Sequence, residues 1–145
     1  MIVTVTPNPS TDRTVTLSSA LTRGAVHRVS SVSSEPGGKG VNVARALTLA
    51  GVDAVAVLPA APADPFLTLL AGAGVPAAPV AVRGIVRTNL TITEPDGTTT
   101  KLNEPGARLD AAELDALTAA VLDHAATASW VVLSGSLPPG VPADW

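Results

Sequence analysis

The fold of this chain is decided by the stretch Glu35–Arg45, which reads EPGGKGVNVAR. Apolar residues recur at helical spacing from Val41 to Ala50, so the glycine cluster stands at the start of a predicted helix. The glycines permit positive φ and close approach of a ligand, and the helix N-terminus favours an anion. Lys39 adds a positive charge, and Asn42 adds a donor and an acceptor. The pattern is typical of either an anion-binding loop or a plain turn into a helix.

This loop does not match the standard nucleotide-binding motifs. A P-loop needs serine or threonine after Gly-Lys, whereas Gly40 follows Lys39 here. A Rossmann fingerprint starting at Gly38 would need glycine or alanine at position 43, which is Val43. The loop is therefore better suited to a small polar ligand than to ATP.

Short β-type runs alternate with helical segments on both sides of this stretch. Asp64 and Asp110 have N-cap spacing before two of the predicted helices, and the apolar runs indicate strands at Ile2–Thr6, Ala54–Leu58 and Trp130–Leu133, the last two of the buried type. The alternation predicts a parallel sheet in an α/β layer fold. Two polar segments, 12–33 and 86–103, resemble short strands without an intervening helix and predict a small accessory sheet.

Composition excludes several classes of function. The chain has 145 residues, a net charge of −3, no cysteine and two histidines, so nucleic-acid binding, thiolate chemistry and a metal site are not expected. No apolar run reaches the roughly 18 residues of a membrane span, and the N-terminus lacks a signal-peptide core, so we expect a cytoplasmic protein that binds no membrane. Residues 1–90 carry a net +3 and residues 91–145 a net −6. An anion would therefore bind the first part, unless these charges merely solvate the surface.

Polar residues outside the glycine loop are further candidates for a ligand site. Asp12 follows the first strand, and Ser136 follows the run Trp130–Leu133, so both lie at the edge of the sheet where ligands bind in open α/β folds. Arg87 and Asn89 lie two apart on one face of a predicted strand, and arginine suits a phosphate. Taken singly, Asp12 is also consistent with a turn cap and Arg87 with a solvated edge charge.

Taken together, four stretches resemble the PfkB (ribokinase-like) carbohydrate kinases. They are TVTPNPSTD at residues 4–12, EPGGKGVNVAR at 35–45, RTN at 87–89 and SGSLPPG at 134–140. The resemblance covers essentially the whole chain. It implies a ribokinase-like parallel sheet sandwich with a small β lid, whose strands lie within about 12–33 and 86–103. It also implies a sugar-phosphate site formed by Asp12, Arg28, Gly37, Gly38, Lys39, Asn42, Arg87, Asn89 and Ser136.

The resemblance also implies an activity. The complete enzyme would transfer the γ-phosphoryl group of ATP to fructose 1-phosphate with Mg²⁺, and it would dimerise through the lid. Tagatose 6-phosphate and fructose 6-phosphate are alternative substrates within the family, and Lys39 inside the glycine loop favours the first of these and fructose 1-phosphate. An alternative of another class is a non-catalytic module that binds sugar phosphate or dimerises.

Two departures from the family pattern qualify these expectations. The Asn-x-x-Glu magnesium region and the Gly-Ala-Gly-Asp loop with the catalytic base are not in this chain. We therefore expect the N-terminal part of a longer kinase, truncated after the SGSLPPG strand and inactive alone, without catalytic or metal-binding residues of its own. ATP and Mg²⁺ would bind mainly elsewhere. In addition, the segment Ala60–Pro65 stands where relatives have a glycine-rich turn.

Overall fold

Two four-stranded sheets organise the chain. The structure is a computed structural model, and it describes all residues from Met1 to Trp145. In chain order the elements are β1 (Ile2–Val5), β2 (Ser10–Leu17), β3 (Val29–Gly37), α1 (Lys39–Leu49), β4 (Ala54–Ala60), α2 (Pro65–Gly72), β5 (Ala77–Ala81), β6 (Arg87–Thr93), β7 (Thr99–Asn103), α3 (Ala111–Ala125) and β8 (Trp130–Leu133).

The first sheet, termed the main sheet, is parallel and has the order β5-β4-β1-β8. Alternate residues of β4 point to opposite faces of this sheet, as in any strand. Leu58 packs with Val41 of α1 and Phe66 of α2, whereas Val57 packs with Leu117 of α3. Helices thus cover both faces with separate apolar clusters. The predicted α/β layer fold with a parallel sheet is confirmed.

The second sheet, termed the lid sheet, has the order β3-β2-β6-β7. Its central pair β2 and β6 is parallel, and the two outer pairs are antiparallel. Strand β3 runs on to Gly37 and leads directly into α1, whereas the β-branched pattern alone predicts a strand over 26–32. The chain crosses between the sheets at four places: 6–9, Gly38, 82–86 and 104–110.

Side-chain caps begin two of the helices as predicted. The Asp64 carboxylate accepts a hydrogen bond from the backbone of Phe66 at the start of α2. Asp110 and Glu113 form a reciprocal capping box at the start of α3. No helix is both long enough and apolar enough to cross a membrane.

The interpretation of Trp130–Leu133 as a buried strand is wrong in its burial. These residues form β8, but Trp130 is 71% exposed and Leu133 66% exposed. The reason is position: β8 is the edge strand of the main sheet, so its side chains lack a neighbouring strand on one side.

Candidate functional site

A polar recess lies where the chain crosses between the main sheet and the lid sheet. Its volume is about 260 Å³, close to the lower bound of small-molecule pockets. It is surrounded by the carboxyl ends of β1 and β8, the N-terminus of α1 and the first residues of β2 and β6. None of its lining residues is hydrophobic: they are Asn8, Ser10, Asp12, Gly38, Lys39, Asn42, Arg87, Asn89, Gly135 and Ser136.

The Asp12 carboxylate is held in place by neighbours on three strands. Ser10 donates from Oγ to Asp12 Oδ1 at 2.8 Å, and Asn89 donates from Nδ2 to the same oxygen at 3.1 Å. Gly37 of β3 lies against the carboxylate so closely that a Cβ there would overlap it. Asp12 Oδ2 accepts no hydrogen bond within the chain, so it is available to a hydroxyl donor.

The start of α1 forms a second wall of the recess. Gly38 has φ +118°, and a Cβ at that position would come within 2.6 Å of Thr6 Cγ2. A Cβ on Gly40 would come within 2.7 Å of the Val5 carbonyl oxygen, so this end of the helix packs directly on the end of β1. No side chain caps α1, and its first turn holds no acidic residue. Its free N–H groups and the positive end of its dipole therefore remain available to an anion.

Lys39 supplies the first of two cations at the recess. It is exposed and makes no ion pair, since the ion pairs of the chain involve Arg45 and Arg83. Asn42 lies one turn further along α1, on the same side of the helix. A phosphate group at this wall would meet both a charged donor and an amide.

Arg87 supplies the second cation and is anchored by backbone carbonyls. Its Nη1 donates to Glu104 O at 2.9 Å, and its Nη2 donates to Asn8 O at 3.4 Å. Asn8 is itself held, because its Nδ2 donates to Pro105 O at 3.1 Å and to Ser136 Oγ at 3.3 Å. The guanidinium group thus joins β6 to two of the chain crossings and keeps further N–H groups free.

Two buried polar atoms at the recess have no hydrogen-bond partner. They are Arg87 Nε and Asn89 Oδ1. Buried polar atoms in folded proteins are nearly always paired with protein or water, and leaving one unpaired costs about 1–3 kcal/mol. Both atoms have almost no solvent-accessible surface, so they offer no hydrogen bond to a ligand in the recess unless their side chains move.

The structure brings most of the predicted site residues together. Seven of them line the recess: Asp12, Gly38, Lys39, Asn42, Arg87, Asn89 and Ser136. Gly37 lies behind the recess against the Asp12 carboxylate. Arg28 does not line it, because β3 begins at Val29 and leaves Arg28 exposed in the preceding loop.

Three lining residues were not predicted from the sequence: Asn8, Ser10 and Gly135. Asn8, in the connection between β1 and β2, is 6% exposed, and Ser10, the first residue of β2, is 2% exposed, which is unusual for polar residues. A polar residue between two prolines at a strand end was the available sign for Asn8. Ser10 is found only from its contact with Asp12, which depends on the fold.

The recess itself holds neither a cluster of metal ligands nor an apolar wall. No three His, Asp or Glu side chains lie close enough together to hold a metal ion. Asp12 is the single carboxylate lining the recess, and none of its lining residues is hydrophobic, so it offers no apolar surface for an adenine ring.

An α/β sandwich with a polar recess at the carboxyl ends of its parallel strands is the architecture of a small-molecule-binding α/β protein. The family model described as pfkB family carbohydrate kinase matches residues 6–145, and the chain belongs to that family. The resemblance noted from the sequence is thereby confirmed.

Known relatives agree with this assignment. The chain is 43% identical to a 1-phosphofructokinase of Xanthomonas campestris pv. campestris, over 98% of this chain and 45% of the relative. It is 38% identical to ATP-dependent 6-phosphofructokinase isozyme 2 of Escherichia coli K12, over 97% of this chain and 46% of the relative. The crystal structure of Escherichia coli phosphofructokinase-2 in complex with fructose-6-phosphate superposes with a TM-score of 0.89 at 35% identity, over 99% of this chain and 48% of that one. The chain thus spans about half the length of the relatives it matches.

Proposed function

We propose that the recess binds a phosphorylated ketohexose and that the whole protein is an ATP-dependent sugar-phosphate kinase. Its reaction would be fructose 1-phosphate plus ATP to fructose 1,6-bisphosphate plus ADP. The observation that carries the proposal is that the recess holds one oriented carboxylate, Asp12, together with two cations, Lys39 and Arg87. A sugar phosphate presents hydroxyl donors and a dianion, which match these two parts.

Each lining residue has a role that follows from its chemistry. Asp12 Oδ2 accepts from a sugar hydroxyl, because Oδ1 is already bonded to Ser10 and Asn89. Lys39 contributes a point charge to the phosphate, and the free N–H groups of α1 support it. Arg87 contributes a second positive charge for the phosphate, and Asn89 orients the Asp12 carboxylate. The remaining predicted residues that line the recess are Gly38, Asn42 and Ser136.

These residues bind and orient a sugar phosphate, but they do not by themselves transfer a phosphoryl group. Transfer needs a nucleotide, a metal ion and a group that takes the hydroxyl proton. Lys39 and Arg87 are the cations that line the recess with Asp12, and both are assigned to the sugar phosphate. The recess has no further cation to neutralise the phosphates of a nucleotide. We assign the catalytic base and the nucleotide site to the part of the full-length relatives that this chain does not span. The residues 1–145 are proposed to act as one N-terminal unit that includes the lid.

Lys39 within the glycine loop favours fructose 1-phosphate and tagatose 6-phosphate over fructose 6-phosphate, and we prefer fructose 1-phosphate because a relative 43% identical to this chain is a 1-phosphofructokinase. Fructose 6-phosphate is the second candidate, since a relative 35% identical in sequence was solved in complex with fructose-6-phosphate. Tagatose 6-phosphate is the third, and Lys39 is compatible with it. A cytoplasmic location, where ATP and sugar phosphates are available together, is part of the proposal.

The test uses the protein as its own cell makes it. Intact mass is measured first, and the same preparation is then assayed for turnover and for binding with fructose 1-phosphate, fructose 6-phosphate and tagatose 6-phosphate. Turnover of fructose 1-phosphate with the highest kcat/KM is the expected result for a longer chain. Preference for fructose 6-phosphate would overturn the choice of substrate. Binding without turnover at a mass of 14.4 kDa would favour the non-catalytic module instead.

We also propose that the lid sheet forms a homodimer contact. Side chains along β2 alternate between the two faces of the lid sheet. Asp12 lies on the face that lines the recess, so Val15 lies on the opposite, outer face. Strand register places apolar residues on this outer face: Val15, Val32, Leu90, Ile92 and Leu102. Val32 is 47% exposed and Leu102 57% exposed, so the face is apolar and open to solvent. A relative, Escherichia coli phosphofructokinase-2, has a structure described as a tetrameric inhibited form.

Sedimentation equilibrium tests the lid contact. Leu102→Lys should shift the protein towards monomer, because it places a charge in the apolar face. Leu49→Lys is the matched control, since Leu49 is 80% exposed at the end of α1 and away from the lid sheet. A dimer that survives Leu102→Lys with unchanged affinity, or a wild-type monomer at working concentration, would remove the lid contact.

A further inference from the structure

Asp64 is a buried carboxylate with two separate hydrogen bonds to backbone amides. It is 6% exposed and forms no ion pair with a lysine or arginine. One oxygen, Oδ1, accepts from Phe66 N–H at 2.9 Å and caps α2. The other oxygen, Oδ2, accepts from Val86 N–H at 2.7 Å. The side chain therefore connects the N-terminus of α2 with a position 22 residues further along the chain.

The second bond fixes the point at which the chain enters the lid sheet. Val86 immediately precedes Arg87, the first residue of β6. It also packs against the apolar cluster that contains Phe66 and Leu70 of α2. Because α2 packs into an apolar cluster on the main sheet, the Asp64 carboxylate attaches the start of β6 to the core of the fold.

The start of β6 in turn sets the position of two recess residues. In the parallel register of β2 and β6, Arg87 pairs with Ser10 and Asn89 pairs with Asp12. A shift of β6 along its axis would move Asn89 Nδ2 away from Asp12 Oδ1, to which it now donates at 3.1 Å. The same shift would loosen the bonds of Arg87 to Asn8 O and Glu104 O.

Capping of α2 alone does not account for a carboxylate at this position. Serine, threonine or asparagine caps a helix with one side-chain oxygen, and burying a charged group costs more than burying a neutral one. The second oxygen of Asp64 has its own partner outside the helix, and both oxygens are needed for the observed contacts.

We infer that Asp64 is a positioning residue for the recess: it fixes the entry of β6 and thereby the places of Arg87 and Asn89. This inference rests on the proposed function, because the ligand whose binding it supports is the sugar phosphate. Asp64 touches no lining residue of the recess directly, so its effect on the ligand is transmitted through the backbone of β6.

Two variants separate the cap from the attachment. Asp64→Asn keeps an oxygen that can accept from Phe66 N–H, but its amide nitrogen would face Val86 N–H, donor against donor. Asp64→Ser caps α2 with a shorter side chain that does not reach Val86. Leu117→Ala is the control, because Leu117 is fully buried in the cluster on the other face of the main sheet, so the variant is destabilised while the surroundings of Asp64 and Val86 stay unchanged.

Amide hydrogen exchange and fructose 1-phosphate affinity are measured in the wild type and all three variants of the full protein. In Asp64→Asn and Asp64→Ser, exchange at Val86 should accelerate at least tenfold more than exchange at Phe66, and Kd for fructose 1-phosphate should rise about fivefold or more. In Leu117→Ala the two amides should change together, and Kd should stay within twofold of wild type.

Three outcomes decide between the possibilities. If Val86 and Phe66 change together in both Asp64 variants, the attachment is absent and the inference is overturned. If Val86 is released but Kd stays within twofold, Asp64 has a structural role only, which also overturns it. A wild-type protein that binds none of the three sugar phosphates overturns the proposed function and the ligand with it, whereas selective release of Val86 would still establish the attachment of β6.

Discussion

Asn89 donates from Nδ2 to Asp12 Oδ1 at 3.1 Å, across paired positions of the parallel strands β6 and β2. Ser10 donates to the same oxygen at 2.8 Å. The donors of the chain thus occupy one oxygen of the carboxylate and leave the other to a ligand. The Asp12 side chain is oriented before any ligand binds, which lowers the entropy that binding must offset.

Replacement of Asp12 by asparagine should weaken binding of fructose 1-phosphate at least tenfold. A hydrogen bond to a charged acceptor contributes about 1.5–3 kcal/mol, and about 1.4 kcal/mol corresponds to a factor of ten in affinity. The melting temperature should change little, because Asp12 is exposed. Isothermal titration calorimetry gives the affinity. Asp123→Asn, on the exposed side of α3, is the matched control, and equal affinities of the two variants would remove Asp12 from the site.

Replacement of Lys39 by methionine should weaken sugar-phosphate binding and also reduce its dependence on salt. Lys39 is an unpaired cation at the recess, so its attraction to a phosphate is screened as ionic strength rises. The chain has one other lysine, Lys101, which lies on the hairpin strand β7 outside the recess. Affinities measured at low and moderate salt should separate Lys39→Met from Lys101→Met. If both variants keep the slope of the wild type, Lys39 does not contact the phosphate.

Alanine at Gly38 should destabilise the protein by more than alanine at Gly51. Both glycines have positive φ, +118° at Gly38 and +74° at Gly51. The φ of Gly51 is close to the left-handed helical region, which costs a residue with a Cβ about 1–2 kcal/mol, whereas Gly38 has ψ 138° and lies in a region nearly confined to glycine. At Gly51 the added Cβ meets nothing within 4 Å, whereas at Gly38 it would come within 2.6 Å of Thr6 Cγ2. The difference between the two variants in urea unfolding therefore measures the contact together with the greater backbone strain at Gly38. Equal free energies of unfolding would mean that the start of α1 can move away from β1 without cost.

Local sequence patterns correctly predicted the helix caps, which depend on contacts between residues close together in the chain. The N-caps Asp64 and Asp110 follow from side-chain chemistry within three residues, and both are present. The caps depend on short-range contacts that a single sequence displays. The glycine loop was found from its glycines ahead of a helical repeat, although the close packing on β1 that requires glycine at positions 38 and 40 is a long-range contact.

Features that depend on long-range contacts were less accessible. The exposure of Trp130 follows from the place of β8 at the sheet edge, which strand order alone determines. Asn8 reaches Pro105 and Ser136, 97 and 128 residues away, and no local pattern displays those contacts. The family motifs in the sequence compensated in part, since they joined Asp12, Lys39 and Ser136 into one site before any contact was known.

Protonation of Glu113 at acidic pH should lower the free energy of unfolding. The pKa of Glu113 lies below its ordinary value near 4.5, first because Asp110 N–H donates to the carboxylate, then because Arg83 N–H donates to it and the Arg83 charge stabilises it. A carboxyl group with a lowered pKa in the folded state stabilises the protein above its unfolded pKa. That stabilisation is complete above about pH 4.5 and is lost as the pH falls through the lower, folded-state pKa.

Glu113→Gln keeps an oxygen that can accept from Asp110 N–H but removes the negative charge at the start of α3, so it should lower the free energy of unfolding at neutral pH by about 0.3–1 kcal/mol. The difference between wild type and variant should shrink as the pH falls below 4.5, because protonation of Glu113 makes the two side chains alike in charge. Urea unfolding between pH 7 and pH 3 measures this difference. Asp123→Asn serves as the reference, since it removes an exposed carboxylate that accepts no backbone hydrogen bond. If the Glu113→Gln difference stays constant across this range, Glu113 stabilises α3 through its shape and hydrogen-bonding geometry and its charge contributes nothing.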